Sequence, residues 1–434
     1  MMNLRFSIFH AVHTTCLLLA FSFGASLSVR ATVSLGIDEL EKSNFAALGG
    51  KHVGLVTNPS GADSKGRSAI DVLSKGQTIG GYKLVKLYGP EHGIDGLTGA
   101  GKHVGNGRDR SSGCPICSLY GDTRRPTPQM LQGIDTMVYD VQDLGNRSYT
   151  FISTLGYVMD ECAKHNIQVI VLDRPNPLGG VRIEGPRLND GVSSFVGLYD
   201  IPYVYGLTPG ELALYINAKY LAKPCRLTVV SMKGWIRPMV WEDTGLKWIA
   251  TSPNIPNIAA ARAYTATGFL GEIGIESGCG GPYPFLIIAG RDWPASTLVS
   301  KWNALHVPGV QATPYHGSGE DGLFLHIDPR NAGNLTAINF QAIDILRNEV
   351  DHFSVFGHTS ADQRDMFNKV AGNTRLQRQL GSGGRIADIV HSWDSGVTRW
   401  AIERQPYLLY GMTPAKTTAT KTPVIAENAL PVAQ

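Results

Sequence analysis

At 434 residues, with 39 basic against 36 acidic side chains and a net charge of +3, the chain is neither a polyelectrolyte nor a minimal scaffold. The near balance of charge excludes the electrostatic footprint of a nucleic-acid binder, and the length admits two domains of ordinary size with substantial cores.

The chain opens with Arg5, an apolar run through Cys16 to Phe23, and small residues at Ala25 and Ala31. This order reads as an export signal over residues 1–31. Its removal leaves no membrane segment and a protein of the periplasm or the exterior. Cys114, Cys117, Cys162, Cys225 and Cys279 then remain, an odd number in a compartment that permits disulfides.

Over residues 32–233 short β-branched runs alternate with helical segments, the pattern of an α/β domain with a doubly wound parallel sheet. Four apolar runs end in polar turns. Residues 52–57 lead into Asn58, residues 82–88 into Glu91 and His92, residues 135–140 into Asp143, and residues 167–172 into Asp173 and Arg174. Ligands of open parallel sheets bind outside the carboxyl ends of the strands. One sheet edge is therefore expected to gather Asn58, Glu91, His92, Asp140, Asp143, Asp173 and Arg174.

Two helices are marked between these runs. Residues 147–165 carry Tyr149, Ile152, Leu155, Met159 and Cys162 along one stripe, with Arg147 in the first turn facing the strand ends. Thr208-Pro209-Gly210-Glu211 is a capping box with proline at the first helical position. After Lys233 the composition turns to Trp, Pro and Gly. A smaller α+β auxiliary domain is expected over residues 234–412, with strands at 285–289 and 322–327 and a helix at 335–352. The Thr/Lys/Ala/Pro-rich residues 413–434 read as a flexible tail.

Glu91 lies on a Pro/Gly-bounded turn, where partial burial would suit a general acid. A glycosidase also needs a second carboxylate as base or nucleophile, and Asp95, Asp140, Asp143, Asp173 and Glu184 are the available partners. Asp140 and Asp173 equally suit caps for the turns they begin, and for Asp173 that is the stronger reading. Arg147 has the fork to hold a substrate carboxylate, or it pairs with Asp143.

Cys114 and Cys117 have the spacing of a redox or metal pair but no second pair to complete a zinc site. A local disulfide or inert thiols are the alternative. His103, His165 and His316 show no ligand spacing, so no metal site is expected. The glycine-rich residues 271–281 lack the Lys-Ser/Thr ending of a phosphate loop, and no strand ends in GxGxxG, so no nucleotide cofactor is expected. Glu276 and its glycines are placed instead at one side of a cleft.

With these residues in view, the chain resembles the bacterial exo-β-N-acetylmuramidases, a family long carried as a domain of unknown function. The resemblance rests on ordered blocks through nearly the whole mature chain: residues 55–60, Gly89-Pro90-Glu91-His92-Gly93, Ser118-Leu119-Tyr120-Gly121, residues 139–143, residues 149–154, residues 172–177, Glu184-Gly185-Pro186, residues 205–212 and residues 252–256. It implies a Rossmann-like domain and a smaller auxiliary domain with a cleft between them. It also implies removal of N-acetylmuramic acid from the non-reducing end of peptide-free cell-wall glycans, with no cofactor. Glu91 matches the acid of the family's Pro-Glu-His-Gly block. On that reading Tyr149 and Glu276 join the sugar-binding set, and Arg147 is inferred to hold the lactyl carboxylate.

Two departures stand out. The family usually places a second Glu after this block, where the chain has Lys102. Before Pro284-Phe285 the family tends to carry an Arg, where this chain reads Glu276-Ser277-Gly278-Cys279-Gly280. An ammonium within about 4–6 Å of Glu91 would favour the ionised form, which has no proton to give. The competing reading is thus a non-catalytic cell-wall glycan-binding protein that kept the fold.

Overall fold

The computed structural model describes residues 32–189, 191–317 and 319–413. The export segment read over residues 1–31 and the tail from residue 414 onward lie outside the described residues. No helix among the described residues is long and apolar enough to cross a membrane.

Seven strands form the larger sheet: β1 His52–Thr57, β2 Lys83–Gly89, β3 Gly107–Arg108, β4 Pro115–Ser118, β5 Thr136–Asp140, β6 Gln168–Leu172 and β7 Leu227–Val230. Their order is β3-β4-β2-β1-β5-β6-β7, parallel except for β3. The chain begins at the centre, winds out through β2 to β4, then returns to β5 and winds the other way. The doubly wound expectation therefore holds. The reversal between β1 and β5 is a topological switch point, the place where loops diverge and leave a crevice.

Period-two alternation along the strands builds a core on each face. Val53, Leu55, Val138, Ile170 and Leu172 point to one side, where they meet the helices Gly36–Lys42 and Ala69–Gly80. Val56, Met137, Tyr139, Val169 and Val171 point to the other, against Ile152, Leu155, Met159 and Cys162 of the helix Phe151–Lys164 and Leu212 and Ile216 of the helix Pro209–Lys219. Gly54 is required where it stands: a Cβ there would lie 2.7 Å from the Tyr88 ring, and the β1–β2 register slips at that point.

A second, antiparallel sheet comprises β8 Ile287–Gly290, β9 Val310–Gly317 and β10 Glu320–Ile327, in the order β8-β10-β9. The helices Ile258–Thr267, Ala295–Ala304, Leu335–Glu349 and Ala361–Ala371 share its core. Both ends of the stretch read as auxiliary are built onto the larger sheet. Trp235 packs in one of that sheet's cores, and Trp400 and Tyr407 pack in the other.

Local boundaries shift for visible reasons. The helix read from residue 147 starts at Phe151, because the Arg147 amide donates to the Tyr203 carbonyl at 2.8 Å and Asn146 bridges to Val204. The strand read from residue 285 starts at Ile287, because Phe285 has φ +63°, outside extended backbone.

Candidate active site

The turn after β2 is closed by the Gly93 amide, which donates to the Pro90 carbonyl at 3.0 Å. His92 has φ +70° and Gly93 φ +81°. Turns with positive φ at their third residue normally use Gly or Asn there, and a larger side chain costs on the order of 1–3 kcal/mol. Two contacts hold His92 in place. Its Nδ1 lies 2.8 Å from the Thr98 carbonyl oxygen, and its ring meets Phe151 edge-on at 6.4 Å. His92 is thus tied into the turn that presents Glu91.

Glu91 is 7 % exposed. Its Oε1 accepts from the Gly101 amide at 2.8 Å, and its Oε2 accepts from the Thr150 hydroxyl at 2.6 Å. Thr150 immediately precedes the helix Phe151–Lys164, so β2 and β5 both contribute to the seat. The returning loop is stapled by the Val104 amide, which donates to the Tyr120 carbonyl at 2.8 Å. The Tyr120 phenol lies in the field of both the Glu91 carboxylate and the Arg124 guanidinium. Burial raises its pKa, the Glu91 charge adds to the rise and Arg124 opposes it.

A second, buried network lies at the switch point. The Tyr149 phenol donates to the Thr251 hydroxyl at 2.8 Å, and the Asn58 amide reaches the Thr251 carbonyl at 3.4 Å. Asn58 Oδ1 accepts from the Ser60 amide and hydroxyl at 3.0 and 2.5 Å, and the Ser60 hydroxyl accepts from the Gln142 amide at 3.1 Å. Asp143 accepts from the Gly145 amide at 2.8 Å and from the Tyr205 hydroxyl on Oδ2, while Oδ1 has no protein partner. Burial pushes the Asp143 carboxyl up to about 6, against the opposing pull of Tyr205 and the backbone amides. Burial likewise raises the Tyr149 phenol, with the charges of Asp143 and Glu91 adding to the shift. Tyr149 is therefore within electrostatic reach of both carboxylates.

Other residues read as site residues are spent on the fold. Arg174 pairs with Asp140 at 2.5 Å and donates to the Ala62 carbonyl at 2.7 Å; burial raises the Asp140 carboxyl and Arg174 lowers it. Asp173 accepts from the Gly210 amide at 2.8 Å, the Thr208 hydroxyl at 2.8 Å and the Tyr410 phenol at 2.6 Å. It caps the helix Pro209–Lys219, and burial pushes it up to about 7. Glu184 pairs with Arg182 and accepts from the Thr336 amide at 3.0 Å, at the start of the helix Leu335–Glu349. Asp95 is exposed and accepts from the Leu97 amide at 3.1 Å within its own turn. Glu276 bonds the Gly278 amide and bridges to Ala289 of β8. Its loop reaches the crevice segment through the Gly280 amide, which donates to Asn254 at 3.0 Å.

Arg147 is the clearest departure. It is fully enclosed, pairs with no carboxylate among the described residues, and donates to the carbonyls of Pro186 and Ile201 at 3.0 Å each. Its other terminal nitrogen donates to the carbonyls of Val370 and Ala371 at 3.2 and 2.8 Å. The latter two end the helix Ala361–Ala371, where a cation complements the helix dipole. Burial lowers its pKa to about 10. It is a buried staple and not a clamp for a ligand. Cys114 and Cys117 are both free; Cys114 Sγ donates to the Leu84 carbonyl at 3.3 Å, and burial pushes the Cys117 thiol up. A reactive pair needs a lowered thiol pKa, so the inert reading fits.

Thr150, Tyr120, Gly101 and Thr251 complete the site and were not read individually from the sequence. Thr150 and Tyr120 sit inside blocks quoted above, Tyr120 just past the end of β4 and Thr150 at the start of the helix Phe151–Lys164. Those positions were the available signal. Among the described residues no cluster of three or more His, Cys, Asp or Glu is placed to hold a metal ion. The arrangement offers one seated carboxyl at the surface, a second carboxyl without a cation, and aromatic walls, which suits acid–base work on a polar ring.

Two family models cover the chain. The model for the N-terminal part of the exo-β-N-acetylmuramidase NamZ matches residues 53–259, and that for its C-terminal part matches residues 262–410. The chain is 36 % identical over 387 residues to the peptidoglycan β-N-acetylmuramidase NamZ of Bacillus subtilis strain 168, covering 87 % of this chain and 91 % of that one. A crystal structure of a DUF1343 family protein from Bacteroides fragilis NCTC 9343 aligns with a TM-score of 0.82 at 42 % identity, over 88 % of this chain and all of that one. A second DUF1343 structure from the same organism aligns at 0.66 with 24 % identity, over 88 % of this chain and 99 % of that one, and shares the fold.

Proposed function

The chain belongs to the exo-β-N-acetylmuramidase NamZ family, and from that premise we propose that it is an exported glycoside hydrolase releasing N-acetylmuramic acid from the non-reducing end of peptidoglycan-derived glycans. The observation that carries this reading is the seating of Glu91. It is a nearly buried carboxyl on a positive-φ turn, held on one oxygen by the Gly101 amide and on the other by the Thr150 hydroxyl.

Glu91 gives its proton to the glycosidic oxygen as the bond from that oxygen to the anomeric carbon breaks. A hydroxyl both donates and accepts, so Thr150 serves Glu91 with or without its proton. Asp143 is the second carboxyl: it carries no cation, and one of its oxygens has no protein partner. Asp95 is tied into an exposed turn, and Asp140 and Asp173 are held by an arginine and a helix cap. His92 positions the turn. Asn58 and Tyr149 shape the wall of the crevice. Support for export comes from residues 1–31, and N-terminal sequencing of the protein recovered from periplasm or medium tests cleavage there.

Lys102 supports a second reading, the non-catalytic glycan-binding protein, because it stands where the family usually has Glu. Its side chain is exposed and joins no ion pair among the described residues, which favours turnover. The deciding experiment is hydrolysis of a chromogenic β-N-acetylmuramide and of the MurNAc-β-1,4-GlcNAc disaccharide, with Glu91→Gln alongside. Turnover lost in the variant supports the hydrolase. Absent turnover with retained disaccharide binding overturns it in favour of the binding protein.

A further inference from the structure

N-acetylmuramic acid differs from N-acetylglucosamine by one substituent, a lactyl ether on O3 that ends in a carboxylate. An enzyme that takes one sugar and refuses the other has to read that anion. With Arg147 sealed among carbonyls, another cation must meet it beside Glu91.

Arg124 follows β4 by six residues and its side chain is exposed. Its guanidinium lies 4.9 Å from the centroid of the Tyr120 ring and 4.8 Å from that of Phe195. The two rings are themselves 5.7 Å apart, and Phe195 is 5.7 Å from Tyr157. Tyr120 and Phe195 are 9 % and 8 % exposed, so they form a fixed platform. Arg124 joins no carboxylate among the described residues.

Its neighbour in sequence makes the contrast. Arg125 is spent on Asp160 at 2.6 Å and Glu161 at 3.1 Å, over the Tyr157 ring at 3.9 Å. A guanidinium laid on an aromatic face keeps its edge donors outward and loses less freedom on binding than a free one. That edge matches a carboxylate with two parallel hydrogen bonds. The loop that seats Glu91 through the Gly101 amide is stapled to Tyr120 by the Val104 amide, which places the Arg124 platform on the acid's own loop.

We propose that Arg124, stacked over Tyr120 and Phe195, binds the lactyl carboxylate and selects the muramic sugar. This inference rests on the muramidase reading above. Arg124 is a specificity residue, and Tyr120 positions it relative to Glu91.

The test compares MurNAc-β-1,4-GlcNAc with the same disaccharide methylated at the lactyl carboxyl, using the full mature chain, Arg124→Ala and Arg124→Lys. The ratio of kcat/KM for acid over ester is expected to be at least about thirtyfold in the wild type. It should fall to near one in Arg124→Ala and recover in part in Arg124→Lys, which restores charge without the fork. A wild-type ratio near one overturns the proposal, as does an undiminished ratio in Arg124→Ala.

Calorimetric titration with free N-acetylmuramic acid gives a readout that needs no turnover, with binding expected to weaken at least tenfold in Arg124→Ala and to fade with added salt. If the wild type cleaves nothing but binds this sugar through Arg124, the hydrolase reading fails and the Arg124 assignment stands. If the wild type binds no muramic acid, the assignment is overturned. Melting of Arg124→Ala near the wild-type temperature verifies that the variant is folded.

Discussion

The two wings of the larger sheet have similar raw material at their strand ends and use it in opposite ways. Past β5 and β6 the charges are engaged within the fold, Asp143 excepted: Arg174 takes Asp140, and Asp173 is consumed by an amide, a hydroxyl and a phenol. Past β2 and β4, Glu91 is held only by neutral donors and Arg124 only by aromatic faces. Residue type is the same on both sides. What separates a site from a scaffold is whether each charge already has a counter-charge, because a desolvated ion pair has little left to offer a ligand.

The largest effect expected from this contrast is at Glu91. Glu91→Gln should lower kcat by about a hundredfold to ten-thousandfold with little change in Tm; near-wild-type turnover would remove Glu91 from the chemistry. On the structural side, Arg147→Ala leaves four carbonyls without their donor and is expected to cost about 3 kcal/mol or more of stability. Denaturant unfolding measures this. A stable variant with selectively weakened muramic acid binding would instead restore Arg147 as a ligand clamp.

Within the wing of β5 and β6, Asp143 and Asp173 are told apart by pH. With its carboxyl pushed up to about 6, Asp143 takes a proton as the pH falls through that value, so kcat/KM should decline below about pH 6. In Asp143→Asn that acidic limb should be gone and the plateau about tenfold lower or more. An unchanged profile would exclude Asp143.

Asp173 is raised by burial to about 7 in the fold, above its ordinary value near 3.9. The folded state therefore holds this proton more tightly than the unfolded chain. The resulting stabilisation is present at pH below the unfolded value and is lost as the pH rises through about 7. Asp173→Asn should flatten the fall in Tm between about pH 4 and 7 while leaving the activity profile in place. The smallest effect is assigned to Lys102→Glu, about threefold or less in kcat, since the side chain is exposed and screened. A gain of tenfold or more would show that the ammonium restrains Glu91.

Much of this architecture was legible from the chain, because it depends on local pattern. The runs ending at Asn58, Glu91, Asp140 and Asp173 are β-branched segments broken by Pro, Gly or Asn, and the stripe from Ile152 to Cys162 fits one helical face, Tyr149 falling before its start. The Thr208 capping box forms as read, with Glu211 answering the Thr208 amide at 3.0 Å. Arg147 was illegible for a definite reason. Its acceptors are main-chain carbonyls at residues 186, 201, 370 and 371, and a carbonyl leaves no mark in a side-chain pattern. Arg124 was hidden likewise, since Phe195 lies far along the chain from Tyr120 and only the fold stacks a guanidinium on both rings. Between adjacent arginines the sequence offers no distinction, and the nearby Asp160 and Glu161 provide it.

The staple at Arg147 also governs how the molecule moves. Two of its acceptors precede the helix Pro209–Lys219 and two close a helix of the second core, and all four contacts are made away from water. Swinging one core against the other would break them together in a low-dielectric interior, where no solvent stands ready to replace them. The staple therefore opposes movement of one core against the other, and the two cores are expected to melt together in a single transition, which calorimetry checks.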